Sequence, residues 1–548
     1  MPVIDLMSEH DLDTSSVTEC DVCIVGSGPA GSTLARELSD IALRVTLLES
    51  GGFSRSPEAD ALNDIENIGR QREIDQWHVR NRIVGGSSHT WGGRCAPFDA
   101  IDFERRSWVP WSGWPIDLAQ IEPYLDRTIR HLGLLYGSGF NDDRFWAISG
   151  RHKPQGPSFQ GILPFFWQFS RDDEEAFPFE YMRFGRHLQK YIGANVTLVT
   201  GATVLRVNPV EALTAVQSVD FAGPDGRKYI LNARIVVLCS GGIDNARLLL
   251  SSNTLTRNGL GNDKDNVGRY LMDHIRGPVG SFDLDNSQGV LKRFGRYSVG
   301  KNLFRAGLRL SPEIQQSEGL LNCAAWLGEV VGPDDPWDAL RRILRRQPHV
   351  PSDFVNLLRN GDLFFRSSKD FFIERNGIRR KLQNLDLMCM CEQQPNRDSR
   401  VTLSDRKDRF GSRLACIDWR ISNEEPRTMH RMAELVSKQI VRMGFPAPEL
   451  SEWVRQRGAL PDDFLDVAHP TGTTRMSDDP ATGVVDRDGQ VHGIAGLYVA
   501  GSSTFPTAGH CNPTQMIVAL AVRLADHIKS KTNRAPLQLR ADRVPLLV

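Results

Sequence analysis

The sequence has no excess of charge, no membrane-length apolar run and no ladder of cysteines. Sixty-six Lys and Arg stand against 67 Asp and Glu in 548 residues, a formal net charge of -1. A chain so balanced has no global pull toward nucleic acid or an acidic partner, so a small, nearly neutral ligand is expected. No stretch reaches the roughly 18 uninterrupted apolar residues that would span a bilayer. The acidic start, MPVIDLMSEHDLDTSSVTEC, has no basic segment followed by an apolar one. It reads as a loose lead on a soluble chain without an integral membrane segment. The nine cysteines are odd in number and scattered, which argues against a disulfide framework and for reduced thiols in a cytoplasmic setting. Cys20 and Cys23 form a C-x-x-C, but at the entry to a strand instead of opening a helix, so they read as two small apolar residues.

A chain this long exceeds the size at which one core stops growing, and two domains or one large composite unit are expected. The segment DVCIVGSGPAGSTLARELSDIALRVTLLESGG carries an apolar run, Val22 to Val25, then Gly26, Gly28 and Gly31 in G-x-G-x-x-G spacing. A helical pattern with Leu34, Ala35 and Leu38 on one face follows, then a second apolar run ending at Glu49. This is the strand, turn, helix, strand context that a dinucleotide fingerprint requires. Gly26 permits a tight turn, Gly28 lets backbone approach a pyrophosphate, and Gly31 lets helix and strand pack closely. Glu49, at the second strand's carboxyl end, suits a ribose with a free 2′-hydroxyl, which leaves both NAD and FAD open.

Three further stretches look specialised. Residues 82–99, RIVGGSSHTWGGRCAPFD, crowd four glycines into an irregular segment, as where backbone lies against something flat or charged. The run Ile235 to Leu238 meets Ser240, Gly241 and Gly242 before another helical pattern, so the nucleotide domain resumes after an insertion. Near the C-terminus GLYVAGSS leads through TFPTAGH into CNPTQMIVALAVRLADHI. There Asn512 is placed as an N-cap, Pro513 as the first helical residue and Gln515 where a capping box would close.

Together the fingerprint, GGSSHTWGG, VVLCSGGIDNARLLLSS, NVGRYLMDH (266–274), EQQPNRDSRVTL (392–403), HPTGTTRM (469–476) and the stretch 483–515 resemble the glucose-methanol-choline (GMC) oxidoreductases, in that order and across residues 20 to 530. The look is closest to pyranose oxidases and bacterial FAD-dependent sugar dehydrogenases. The resemblance implies an α/β fold: an interleaved Rossmann-like FAD-binding domain with an α+β substrate-binding domain containing a mixed or antiparallel sheet. It implies FAD and oxidation of an alcohol to a carbonyl, by proton abstraction and hydride transfer to flavin N5. The acceptor is O2 or an external one, and no metal is expected.

The catalytic positions carried over are His469, in the H-x-x-G-T motif, and Asn512; His510 is the rival base and a substrate-pocket candidate. The cofactor is expected against Gly26, Ser27, Gly28, Pro29, Ala30 and Gly31, with Glu49 and Ser50 at the next strand. Arg82, Gly86, Ser87, Thr90, Trp91, Gly92 and Gly93 follow, then Val204, Ser240, Gly241, Ser502, Asn512, Pro513 and Thr514. The chain departs from the pattern at Thr90, where pyranose oxidases carry the histidine that holds flavin covalently, with His89 one place early, so the FAD is read as non-covalent. Gly501 replaces an acid that many members carry.

The expected division is 1–115, 196–275 and 461–535 for the FAD-binding parts, 116–195 and 276–460 for the substrate parts, and 536–548 as a tail. The insert near 336–380 reads as a charged, solvated face over a small satellite core, a basic amphipathic membrane or partner surface being the alternative. Two other functional classes share parts of the pattern: a nicotinamide-dependent dehydrogenase, which has no use for His469 and Asn512, and a non-catalytic flavin-binding subunit.

Overall fold

The computed structural model describes residues 1–8, 18–73, 75–137, 161–172, 181–299, 301–344, 350–372 and 380–534. Val22 to Val25 are buried throughout, as a strand covered on both faces must be. Their strand, Glu19–Val25, lies in an eight-stranded sheet between Val45–Leu48 and Lys228–Leu238, parallel to both. Val196–Thr200 and Val3–Asp5 extend it on one side, and Leu497–Val499 adds in parallel to the end of Lys228–Leu238. Val3–Asp5 is therefore ordered edge strand and not part of a loose lead; residues 9–17 lie outside the described residues. The helix Pro29–Glu37 follows the first turn with proline in its first turn, and Leu34, Ala35 and Leu38 are buried on the sheet. The C-terminal helix Thr514–Arg534 packs against it.

The second sheet is wholly antiparallel, in the order Glu449–Leu450, Ile275–Phe282, Leu382–Cys391, Cys323–Val331, Asn302–Leu310, Ile162–Phe169 and Arg94–Cys95, with Arg296–Val299 paired to Asn302–Leu310. The long helix Glu424–Arg442 backs one face of it. A third sheet joins Arg400–Lys407 and Arg413–Asp418 to Ile65–Asn67. The sheets thus cut across the expected boundaries twice, since residues 65–67 and 94–95 pair with strands beyond residue 160.

The insert forms three helices, Pro336–Leu344, Val350–Arg359 and Gly361–Phe372. Trp337 packs on Phe364 at 4.6 Å, and Arg342 pairs with Asp353 at 2.6 Å; Phe354, Leu358 and Phe365 stay exposed. All nine cysteines are buried and unpaired. Among the described residues no helix is long and apolar enough to cross a membrane. The tail 536–548 lies outside the described residues.

Candidate active site

The three glycines of the first turn are needed for different reasons. Gly26 has φ +98°, and a Cβ there would meet the Cys239 carbonyl oxygen at 2.8 Å; a Cβ on Gly31 would sit 1.8 Å from the Gly26 oxygen, inside the helix–strand contact. On Gly28 a Cβ would meet nothing nearer than Gly86 Cα at 4.0 Å. The protein itself makes no demand for glycine at 28, and the space before it is a cleft of about 460 Å³. Gly28 stands at the N-cap with no side chain to offer, and among the described residues nothing else caps the helix Pro29–Glu37, so its first N–H groups are open to a ligand. An open glycine beside unclaimed helix N–H groups fits a pyrophosphate.

Glu49 closes the same end. Its carboxylate accepts from Ser27 N at 3.0 Å, Ser27 Oγ at 2.6 Å and Gly51 N at 2.9 Å while lining the cleft, so one group ties the strand end to the glycine turn. Arg82 donates to Asn63 at 2.8 Å and Ser50 at 3.1 Å. Arg80, which the sequence reading missed, pairs with Asp244 at 3.0 Å on the same wall, and burial pushes its guanidinium down to about 10.

Of the residues expected at the cofactor, all but Ala30 and Gly31 line this single cleft; those two lie behind it, in the helix–strand contact. Thr90 Oγ1 donates to Asn81 at 2.8 Å. His89 is not part of the cleft lining, and its Nε2 is engaged with the Val84 carbonyl at 2.9 Å.

His469 stands in the wall of the cleft, placed by a buried ion cluster. The Asp273 carboxylate accepts the His469 backbone N–H at 3.1 Å and that of His274 at 2.8 Å, and it pairs with Arg72 at 2.8 Å. Arg72 also reaches Asp466 at 3.2 Å. Ala468, just before the histidine, has φ +62°, a conformation disfavoured for a residue with a side chain and held here by these bonds.

The ring nitrogens can be assigned from their partners. His274 Nε2 lies 3.0 Å from the Gly509 carbonyl, which only accepts, so that nitrogen carries the proton. In a neutral ring His274 Nδ1 is then a bare acceptor, and His469 Nδ1, 3.0 Å away, must be the donor. This leaves His469 Nε2 as a lone pair, which takes an N–H from Asn512 Nδ2 at 3.1 Å. Burial pushes His274 down to about 4, and burial, then His274, Arg276 and Arg94, hold His469 well below the ordinary imidazole range. Both rings are neutral at pH 7, as the assignment requires. Nothing in NVGRYLMDH itself marks His274; only a contact across 195 residues of chain reveals its role.

Two expectations need correction. The Asn512 amide goes to His469, its Oδ1 is buried without a partner among the described residues, and the helix starts at Thr514 with Ile517 N bonded to Pro513 O. Gln515 donates to Gly137 O at 2.8 Å and to Thr128 and closes no capping box, because buried neighbours outside the helix claim its amide. His510 is not in the cleft. It is buried behind it against Phe165, with Asn322 at 3.2 Å and Asp99 at 3.4 Å from Nδ1, since the turn at Gly509 (φ +64°) directs the ring away from His469.

Residues 395–521 match the family model described as GMC oxidoreductase. The chain is 24% identical to 6'''-hydroxyparomomycin C oxidase of Streptomyces lividus over 93% of its own length and 91% of the relative's. It is also 24% identical to 2-methyl-1,2-propanediol dehydrogenase of Mycolicibacterium austroafricanum, covering 94% and 96%. The fold is shared with pyridoxine 4-oxidase from "Mesorbium loti", at TM-score 0.54 and 16% identity over 93% of this chain and 99% of that one.

Proposed function

We propose that the chain, a GMC-type oxidoreductase with FAD as its cofactor, oxidises an alcohol group of a sugar, glycoside or aminoglycoside-like polyol to a carbonyl, with His469 taking the hydroxyl proton. The observation that carries this reading is the chain of contacts from the Gly509 carbonyl to His274 Nε2 and from His274 Nδ1 to His469 Nδ1, 3.0 Å each, which assigns a lone pair to His469 Nε2. Bound in the cleft, FAD supplies the two-electron acceptor for the carbon-bound hydrogen. The residues that would hold it are the Gly26–Gly31 turn, Glu49, the stretch 86–93 and the start of the helix Thr514–Arg534.

His469 Nε2 and Asn512 Nδ2, 3.1 Å apart, make a donor and acceptor pair that a hydroxyl satisfies from both sides. The hydroxyl oxygen accepts from the amide while its proton points at the imidazole. Once His469 has taken that proton, its Nδ1–H stays on His274 Nδ1, so the ring keeps its orientation as it becomes charged. The first-turn N–H groups of Thr514–Arg534, which Asn512 does not cap, add positive potential to the same wall.

Anaerobic mixing of the FAD-loaded protein with sugars and glycosides tests this. A competent alcohol bleaches the flavin band, and His469→Ala retains FAD but does not bleach. A fully loaded flavin that no alcohol reduces, or a His469→Ala protein bleached at the unmodified rate, ends the proposal.

A further inference from the structure

Neighbouring strands of the second sheet bring a set of arginines to one face. Residues directly opposite across strands share a face, and residues two apart on one strand share it too. Arg94 is opposite Phe169, and Trp167, two residues from Phe169, is opposite Arg305; Arg296 is opposite Arg305 in turn. Arg309, four residues on from Arg305, is opposite Ala324, so Trp326 lies on this face, as do Met388 and Met390 beyond it. Arg276 is opposite Met390. Arg94, Arg276, Arg296 and Arg305 therefore share the face that carries Trp167 and Trp326.

The charges on that face do not balance. Arg296 and Arg305 share one carboxylate, Glu329, at 3.9 and 3.6 Å. Arg94 lies over Trp326 at 5.1 Å and Trp167 at 5.8 Å, and neither Arg94 nor Arg276 has an ion-pair or side-chain hydrogen-bond partner among the described residues. Arg94 and Arg276 line the cleft together with His469. Arg276 is exposed in area yet ringed by protein, as a side chain standing in an open cleft is. Arg276 acts on Arg94, and both act on His469, so two guanidinium groups without a carboxylate partner among the described residues stand near enough to favour an anion between them.

We infer that the alcohol substrate carries an anionic oxygen group, a carboxylate, phosphate or sulfate, held by Arg94 and Arg276 beside His469. The inference rests on the alcohol oxidation proposed above and narrows its substrate class: the same wall repels a sugar bearing several ammonium groups. Both arginines also act on the base, since their charge helps to depress the His469 imidazole. A guanidinium pair on the substrate's charged end fixes which hydroxyl reaches His469 Nε2.

Two measurements on the FAD-loaded protein test it separately from the oxidation itself. Acetate, phosphate and sulfate are titrated against the flavin absorbance spectrum; binding that weakens about tenfold in Arg276→Gln and largely returns in Arg276→Lys is the expected result. Arg94→Lys, which keeps the charge over the tryptophans, serves as the second variant. Anaerobic flavin bleaching is then compared for methyl glucoside, methyl glucuronide, glucose 6-phosphate, glycerol, glycerate and glycerol phosphate. Preference for the carboxylate or the phosphate member of each set identifies the anion, and that preference falls in Arg276→Gln through KM. Equal anion binding in Arg276→Gln, FAD loss in place of lost anion binding, or bleaching by neutral alcohols in preference to anionic ones overturns the inference; the last leaves alcohol oxidation standing. If anions bind through Arg276 yet nothing bleaches the flavin, it is the oxidation that fails.

Discussion

His274 Nδ1 lies 3.0 Å from His469 Nδ1, two nitrogens between which there is room for one proton. The Gly509 carbonyl decides which of them carries it, by claiming the only N–H of the neutral His274 ring. A backbone carbonyl therefore sets the tautomer of a base whose ring it does not touch. His274 is a positioning residue in this scheme. Replacing it with Phe keeps the ring volume and removes the acceptor, and kcat is expected to fall by about 10- to 100-fold, part of the full contribution of a general base. FAD content and KM should change little, and Asn at 274, whose amide oxygen can accept, should recover part of kcat. Stopped-flow reduction of the two variants reads the split.

Asn512 does not cap the last helix, so its replacement separates catalysis from stability. Asn512→Ala leaves the Ile517 to Pro513 bond in place, and the melting temperature of the loaded protein should move little. Turnover should drop by about 100-fold or more, the effect expected on removing one hydrogen-bond donor aimed at a reacting oxygen. Asn512→Asp places a carboxylate 3.1 Å from His469 Nε2 and should raise the pKa of that imidazole, moving the acid limb of kcat/KM upward.

The pH dependence carries a definite sign. His469 is held well below its ordinary range by burial first and then by His274, Arg276 and Arg94. It stays a lone-pair base as pH falls, so the acid limb of kcat/KM should lie below about 6.5, the unperturbed histidine value. Removing one of those charges, as in Arg276→Gln, should move the limb up. Stability follows the same two rings: depressed in the fold, they contribute fully above about 6.5 and lose that contribution as pH falls, His274 through about 4. Asp273, raised to about 6 by burial, acts in the opposite sense. The difference in melting temperature between the unmodified protein and His274→Phe therefore isolates the histidine part, and it should narrow as pH is lowered from 7 to 4.5.

The first turn is legible because its constraints are largely local: Gly31 is fixed by the Gly26 carbonyl within the strand–helix unit and Gly26 by its own φ of +98°, while the Cys239 carbonyl that also crowds Gly26 comes from a distant strand. His469 was legible through its own motif. The cap at Asn512 is read from the next three residues, whereas its amide answers to a ring 43 residues earlier. His510 reads as the rival base, and nothing local says that Gly509 turns it toward Asn322. Arg94 and Arg276 come together only through a register running across six strands, which no short window of sequence contains.

The ion cluster beneath His469 gives a last expectation. Asp273 accepts backbone N–H groups from both His274 and His469 and pairs with Arg72, which is 4% exposed. Asp273→Asn keeps the shape but removes the charge, leaving Arg72 only Asp466 at 3.2 Å. Breaking a buried pair on one side typically costs about 3–5 kcal/mol, because the remaining charge stays desolvated. The second carboxylate softens that loss here, so the melting temperature should fall without abolishing folding. The segment bearing Ala468 is held at positive φ by the same carboxylate, which accepts Val467 N at 3.3 Å and His469 N at 3.1 Å. An amide can offer only its one oxygen to these donors, and the imidazole should lose its alignment with Asn512. The expected protein binds FAD, melts earlier and reduces its flavin slowly; Asp273→Asn with an unchanged melting temperature and full turnover would show that the cluster positions nothing.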